Sequence, residues 1–95
     1  MLKHYEPRKF FHWFEKITQI PRPSFHEERI CDFLESFAVS HQLAYHRDAM
    51  HNILMRVPAS KGYENEPPLL LQSHTDMIAE KDDGVTFDFL RTLSV

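Results

Sequence analysis

Leu69-Leu70-Leu71-Gln72-Ser73-His74-Thr75-Asp76 is the stretch on which the reading of this 95-residue chain turns. Three consecutive leucines entered through Pro67-Pro68 fit a short strand buried on both faces, as parallel strands covered by helices are. Extended backbone alternates its side chains with a period of two, so His74 and Asp76 fall on one face at the carboxyl end of that run. In an open α/β sheet, that end is where ligands bind. A neutral imidazole can ligate zinc, and a carboxylate two residues on can orient such a ring. The triplet alone is unspecific, because His46-Arg47-Asp48 repeats its spacing. No apolar strand leads into His46, which reads as part of a solvated turn. For His74, a structural and a metal-ligating role both stand at this point.

Upstream of this run the chain reads as two helices and a hairpin. Phe10, Trp13, Phe14 and Ile17 are spaced i, i+3, i+4, i+7, which lays an aromatic stripe along a helix over 7–19 and predicts a core face. Pro7 opens that helix, and Pro21 and Pro23 end it by forcing an extended link. Ser24-Phe25-His26-Glu27 has capping-box spacing and predicts that a second helix starts there. Its buried stripe is Ile30, Phe33, Leu34, Phe37 and Ala38, and its end is expected near Ser40 or His41. Residues 43–47 and 52–57 read as strands joined by Asp48-Ala49-Met50-His51, with Ile53, Met55 and Val57 pointing inward. Residues 58–68, with Gly62 and two adjacent prolines, read as a solvated connection. The expected fold class is therefore α/β: two N-terminal helices, a β-hairpin and a buried strand.

The length bounds the chain to one modest core and excludes a two-domain reading. With 42% hydrophobic and 26% charged residues the composition is that of a packed chain. Eleven basic against 14 acidic side chains give a net charge of −3, which leaves no basic surplus for phosphates and argues against a nucleic-acid partner. Residues 1–9 lack the apolar core of a signal peptide and no run reaches membrane-spanning length, so no membrane partner and a cytoplasmic location are expected. One cysteine makes no internal disulfide. Only two glycines, Gly62 and Gly84, suggest that much of any active site lies outside the chain.

Other chemistry-bearing residues take plainer readings. His26-Glu27-Glu28-Arg29-Ile30 begins like the zinc helix motif His-Glu-x-x-His, but Ile30 stands where its second histidine must be. His4, His12, His41 and His51 show no paired ligand spacing and read as exposed polar positions. Cys31, beside Asp32, reads as a buried structural thiol. Lys81-Asp82-Asp83-Gly84 reads as a solvated turn, without the alternating ligands of a calcium loop.

Several of these motifs, taken in order, resemble a known family. Ile20-Pro21-Arg22-Pro23-Ser24-Phe25-His26-Glu27-Glu28, then Arg47-Asp48 through Asn52-Ile53-Leu54, and Leu71-Gln72-Ser73-His74-Thr75-Asp76-Met77 with Glu80-Lys81 are similar to the N-terminal part of bacterial aminoacyl-histidine (Xaa-His) dipeptidases. The likeness runs over about 10–89. It implies that 1–95 are the N-terminal part of one catalytic α/β domain of a cytosolic zinc metallopeptidase that cleaves dipeptides. It also implies two divalent metal ions, zinc or alternatively manganese or cobalt, and leaves open a homodimer of the full-length protein. By this resemblance His74 is a metal ligand and Asp76 the active-site aspartate that supports it. The family's remaining ligands come later in the chain than this sequence reaches, so the short form is expected to be a truncated, inactive fragment.

Three positions depart from the pattern. His51 stands where the family has glycine, so a positive backbone angle is costlier there. Phe87-Asp88-Phe89 replaces His-Asp-Phe, and residues 90–95 no longer follow it. Two other readings fit parts of the sequence: a non-enzymatic partner-binding module, and a fragment of a related metal-dependent aminopeptidase or deacylase.

Overall fold

The computed structural model describes residues 2–78 and 83–84. They form helix α1 (Arg8–Thr18), helix α2 (Glu28–Ser40) and strands β1 (Ala44–Arg47) and β2 (Ile53–Arg56), in keeping with the α/β class. The chain divides into two compact units, Met1–Ile30 with Thr75–Val95, and Cys31–His74.

In the first unit, Pro7 sits one residue outside α1, as its N-cap, with φ −74° and ψ 134°. Its carbonyl accepts from the Phe11 amide at 3.1 Å. The aromatic stripe forms, with the Phe10 and Phe14 rings stacked at 6.2 Å and 13°. It is not a core face: Phe10, Trp13 and Phe14 are 59%, 37% and 43% exposed, and no α1 residue is buried. Periodicity sets which side chains share a face, but not whether another element covers that face. After α1 the Arg22 guanidinium donates to the Ile17 carbonyl in the last turn, which also accepts from the Ile20 amide, and to the Ile20 carbonyl just beyond the helix. The extended link follows as expected, with Pro21 and Pro23 both buried.

The second helix starts at Glu28 rather than at Ser24. The capping box does not form. Phe25 takes a left-handed φ of 70°, the Glu27 carboxylate accepts from the Phe25 amide at 2.9 Å, and the His26 amide donates to the Pro23 carbonyl at 2.9 Å. These bonds close a turn where the first helical turn was expected. Ile30 is buried at 3% exposure.

In the second unit, Cys31 and Ala38 are buried at 1% and 0% exposure, and Phe33, Leu34 and Phe37 are half-buried, so this stripe does face a core. Burial pushes the Cys31 thiol above its usual range, in line with a structural cysteine. The helix ends in a Schellman motif: the Leu43 amide reaches the Ala38 carbonyl at 2.8 Å, the Gln42 amide reaches Val39 at 3.1 Å, and Gln42 has φ 56°.

The hairpin is antiparallel with register Ala44↔Arg56, Tyr45↔Met55, His46↔Leu54 and Arg47↔Ile53. Its turn is built on Asp48, whose Oδ1 accepts from the Met50 and Asn52 amides and whose Oδ2 accepts from the Asn52 side chain, each at 2.9 Å. His51 has φ 64°, the positive angle the sequence raised. Ile53 and Met55 are half-buried, but Val57 is 75% exposed and not inward-facing. Arg47 ties the hairpin to α2 through Asp32 and Glu35, both at 2.7 Å, and Tyr45 donates to Glu35 at 3.0 Å.

The buried strand expected at 69–71 is not present. Leu69, Leu70 and Leu71 lie outside any strand and are 84%, 75% and 84% exposed. A parallel strand is buried only between paired neighbours and covering helices, and the described sheet is a two-stranded hairpin. The parallel pairing occurs later, as a single bridge between Pro23 and Met77. Asp83-Gly84 is a turn with Gly84 at φ 82°. Glu80, Lys81, Asp82, Phe87-Asp88-Phe89 and residues 90–95 lie outside the described residues.

Candidate functional site

The chemistry-bearing run of the sequence meets the proline link in the first unit. Pro21 and Pro23 fix φ on either side of Arg22, so the link is extended by covalent constraint. Along it, the Met77 amide donates to the Arg22 carbonyl at 2.8 Å, and the Ser24 amide donates to the Met77 carbonyl at 3.1 Å. These two bonds hold residues 22–24 alongside Met77 and set the register between them. With that register, the Ser24 hydroxyl donates to Asp76 Oδ2 at 2.5 Å, across 52 residues of chain. Ser24, Thr75 and Asp76 are all half-buried. A hydroxyl donating to a carboxylate makes a charge-assisted bond, stronger than a neutral one.

His74 is exposed and belongs to the other unit, at the end of the run that begins at Leu69 and lies outside any strand. His4, His12 and His41 are exposed as expected, and His26 and His46 are exposed too, whereas His51, also expected to be exposed, is not. His51 is half-buried, and its Nδ1 accepts from Arg47 at 3.1 Å. Hydrogen bonds to Glu35 and then Asp32 push the Arg47 pKa up, and the Arg47 bond in turn holds the Glu35 carboxyl below its usual range. The Arg47 hub and the Ser24–Asp76 pair are both absent from the sequence reading. Asp32 and Glu35 share a helix face, but nothing in their spacing names Arg47 as their partner. For Ser24 the one sequence signal was its place inside a motif of the resemblance, and the capping-box reading gave its hydroxyl a local role instead.

Among the described residues no group of three or more His, Cys, Asp or Glu side chains is arranged to hold a metal ion. A catalytic zinc takes three protein ligands and a water, so the described donor set does not fit a complete metal centre.

No family model matches the sequence. The chain is similar to the cytosol non-specific dipeptidase of Escherichia coli (strain K12), with 37% identity over 90 residues, covering 95% of this chain and 19% of that protein. Among solved structures it is similar to aminoacylhistidine dipeptidase from Vibrio alginolyticus, at TM-score 0.88 and 30% identity, covering 97% of this chain and 19% of that one. The chain thus spans about a fifth of the length of the relatives it matches. By sequence and by fold, then, the chain is similar to one segment of these two dipeptidases.

Proposed function

We propose that these 95 residues are part of the catalytic α/β domain of a cytoplasmic, metal-dependent dipeptidase, with dipeptides, including Xaa-His, as the substrate class. In that reading His74 contributes one ligand to a divalent metal site, zinc by preference, and Asp76 is an active-site carboxylate. The observation that carries it is the match along nearly the whole chain to two dipeptidases, by sequence to one and by fold to the other. No helix among the described residues is long and apolar enough to cross a membrane.

The chain on its own is inactive in this reading. One histidine contact corresponds to roughly millimolar affinity, about 4 kcal/mol, too weak to retain a catalytic metal. The metals' part in the complete enzyme is to polarise the scissile carbonyl and lower the pKa of a bound water. The described residues do not assemble that centre, so no step is assigned to them beyond holding a carboxylate and presenting an imidazole.

Two assays test this. The purified chain is incubated with Xaa-His dipeptides and zinc, manganese or cobalt, and no turnover is expected; metal-dependent turnover above that of His74→Ala overturns the inactivity. A chimera in which this sequence replaces the matching fifth of the E. coli dipeptidase should hydrolyse dipeptides and lose activity with His74→Ala or Asp76→Asn. A folded but inactive chimera overturns the dipeptidase reading.

A further inference from the structure

We propose that Ser24 is a positioning residue for Asp76, and that the Ile20-Pro21-Arg22-Pro23-Ser24 link exists to deliver its hydroxyl there. The proposal rests on Asp76 being an active-site carboxylate.

Three observations carry it. The hydroxyl donates to Asp76 Oδ2 at 2.5 Å although a local role was open to it, as cap of a helix beginning at Ser24. The chain forgoes that cap: α2 starts at Glu28, and Phe25, 94% exposed, sits at φ 70° where a non-glycine residue is disfavoured. The link is also anchored at both ends. Arg22 grips the Ile17 and Ile20 carbonyls, and the paired backbone bonds of Arg22 and Ser24 with Met77 bracket the side-chain bond. With Pro21 and Pro23 both buried, little freedom remains along the strap. An aspartate's outer torsion is broad and roughly two-fold, and a fixed donor on one oxygen selects one setting of the carboxylate. An active-site carboxylate held in this way needs less reorganisation when it acts.

The first measurement uses the 95-residue chain. In Ser24→Ala the Asp76 carboxyl ¹³C resonance should move at neutral pH, and in Ser24→Thr, which keeps the hydroxyl, it should stay near the wild-type position. Amide exchange at Ser24 and Met77 reports whether the strap survives each change. A carboxyl resonance unmoved by Ser24→Ala overturns the pairing. The second measurement uses the chimera. Ser24→Ala should lower kcat about 10-fold, the lower end of the loss seen when a residue supporting a metal ligand is itself removed, with KM unchanged and activity restored by Ser24→Thr. An unchanged kcat overturns the proposal. So does an equal loss in both variants with a loosened strap, because Ser24 would then serve only the fold. If the wild-type chimera is inactive, the dipeptidase reading fails, and the resonance shift still decides whether Ser24 sets Asp76.

Discussion

Replacing His51 separates a backbone cost from a side-chain contact. His51 closes the hairpin turn at φ 64°, in the left-handed region, and its Nδ1 accepts from Arg47 at 3.1 Å. His51→Gly and His51→Ala both delete the imidazole, so the Arg47 contact is lost equally in the two. They differ in the left-handed angle, which costs roughly 1–2 kcal/mol for a residue with a Cβ and almost nothing for glycine. Against this, glycine loses more backbone freedom on folding, by about 0.5–1 kcal/mol. The balance leaves His51→Gly the more stable by roughly 0.5–1 kcal/mol, up to about fivefold in the hairpin's opening constant. Arg47 retains Asp32 and Glu35, each at 2.7 Å, so the hairpin stays tied to α2 in both variants. Native-state hydrogen exchange at the Asp48 amide, which donates to the Asn52 carbonyl at 3.0 Å, reads the opening directly. Equal exchange in the two variants, or slower exchange in His51→Ala, refutes the backbone reasoning.

Two further outcomes are expected. Ile30→Ala, at a site only 3% exposed, should cost about 2–4 kcal/mol and lower Tm by roughly 10 °C or more, whereas Leu70→Ala, at 75% exposed, should stay within about 0.5 kcal/mol; a comparable Tm loss from both would mean that the leucine run is buried after all. Asp48 is held below its usual range by the Asn52 side chain and then by the amides of Asn52 and Met50, and Glu35 by Arg47. A carboxyl lowered in the folded state stabilises it above the unfolded value, and that contribution is lost as pH falls through the folded one. Hairpin amide protection should therefore fall from roughly pH 4 downward, less steeply in Asp48→Asn. Protection unchanged down to about pH 3 would sink this.

Much of the local architecture was legible because its causes are local. Proline geometry gave the end of α1 and the extended link, and 3.6-residue periodicity gave the interior of α2. The Asp48 turn followed from a side chain that bonds amides two and four residues on. The failures share a different cause. The aromatic stripe of α1 and the Leu69-Leu70-Leu71 run were read as buried from their composition, but burial requires a second surface. Three leucines state a preference for an apolar environment and carry no information about whether a neighbouring strand pairs with them. His74 was legible as a residue type at a plausible position, and its exposure was not, because its expected setting depended on that same strand.

Ser24 shows how a local rule loses to a distant partner. A serine N-cap contributes about 0.5–2 kcal/mol, and a hydrogen bond to a charged group about 1.5–3 kcal/mol. The left-handed angle at Phe25 costs roughly 1–2 kcal/mol, so the exchange of cap for carboxylate is close to even by itself. What tips it is the pair of backbone bonds joining Arg22 and Ser24 to Met77, each adding about 0.5–1.5 kcal/mol and neither visible in the spacing of any motif. Pro21 and Pro23 make those bonds cheaper, because a link already extended in the unfolded chain loses less freedom when it pairs. The four-residue pattern at Ser24 is thus a true capping signal overruled by a strap whose stiffness is written in the same segment, in the prolines three residues and one residue earlier.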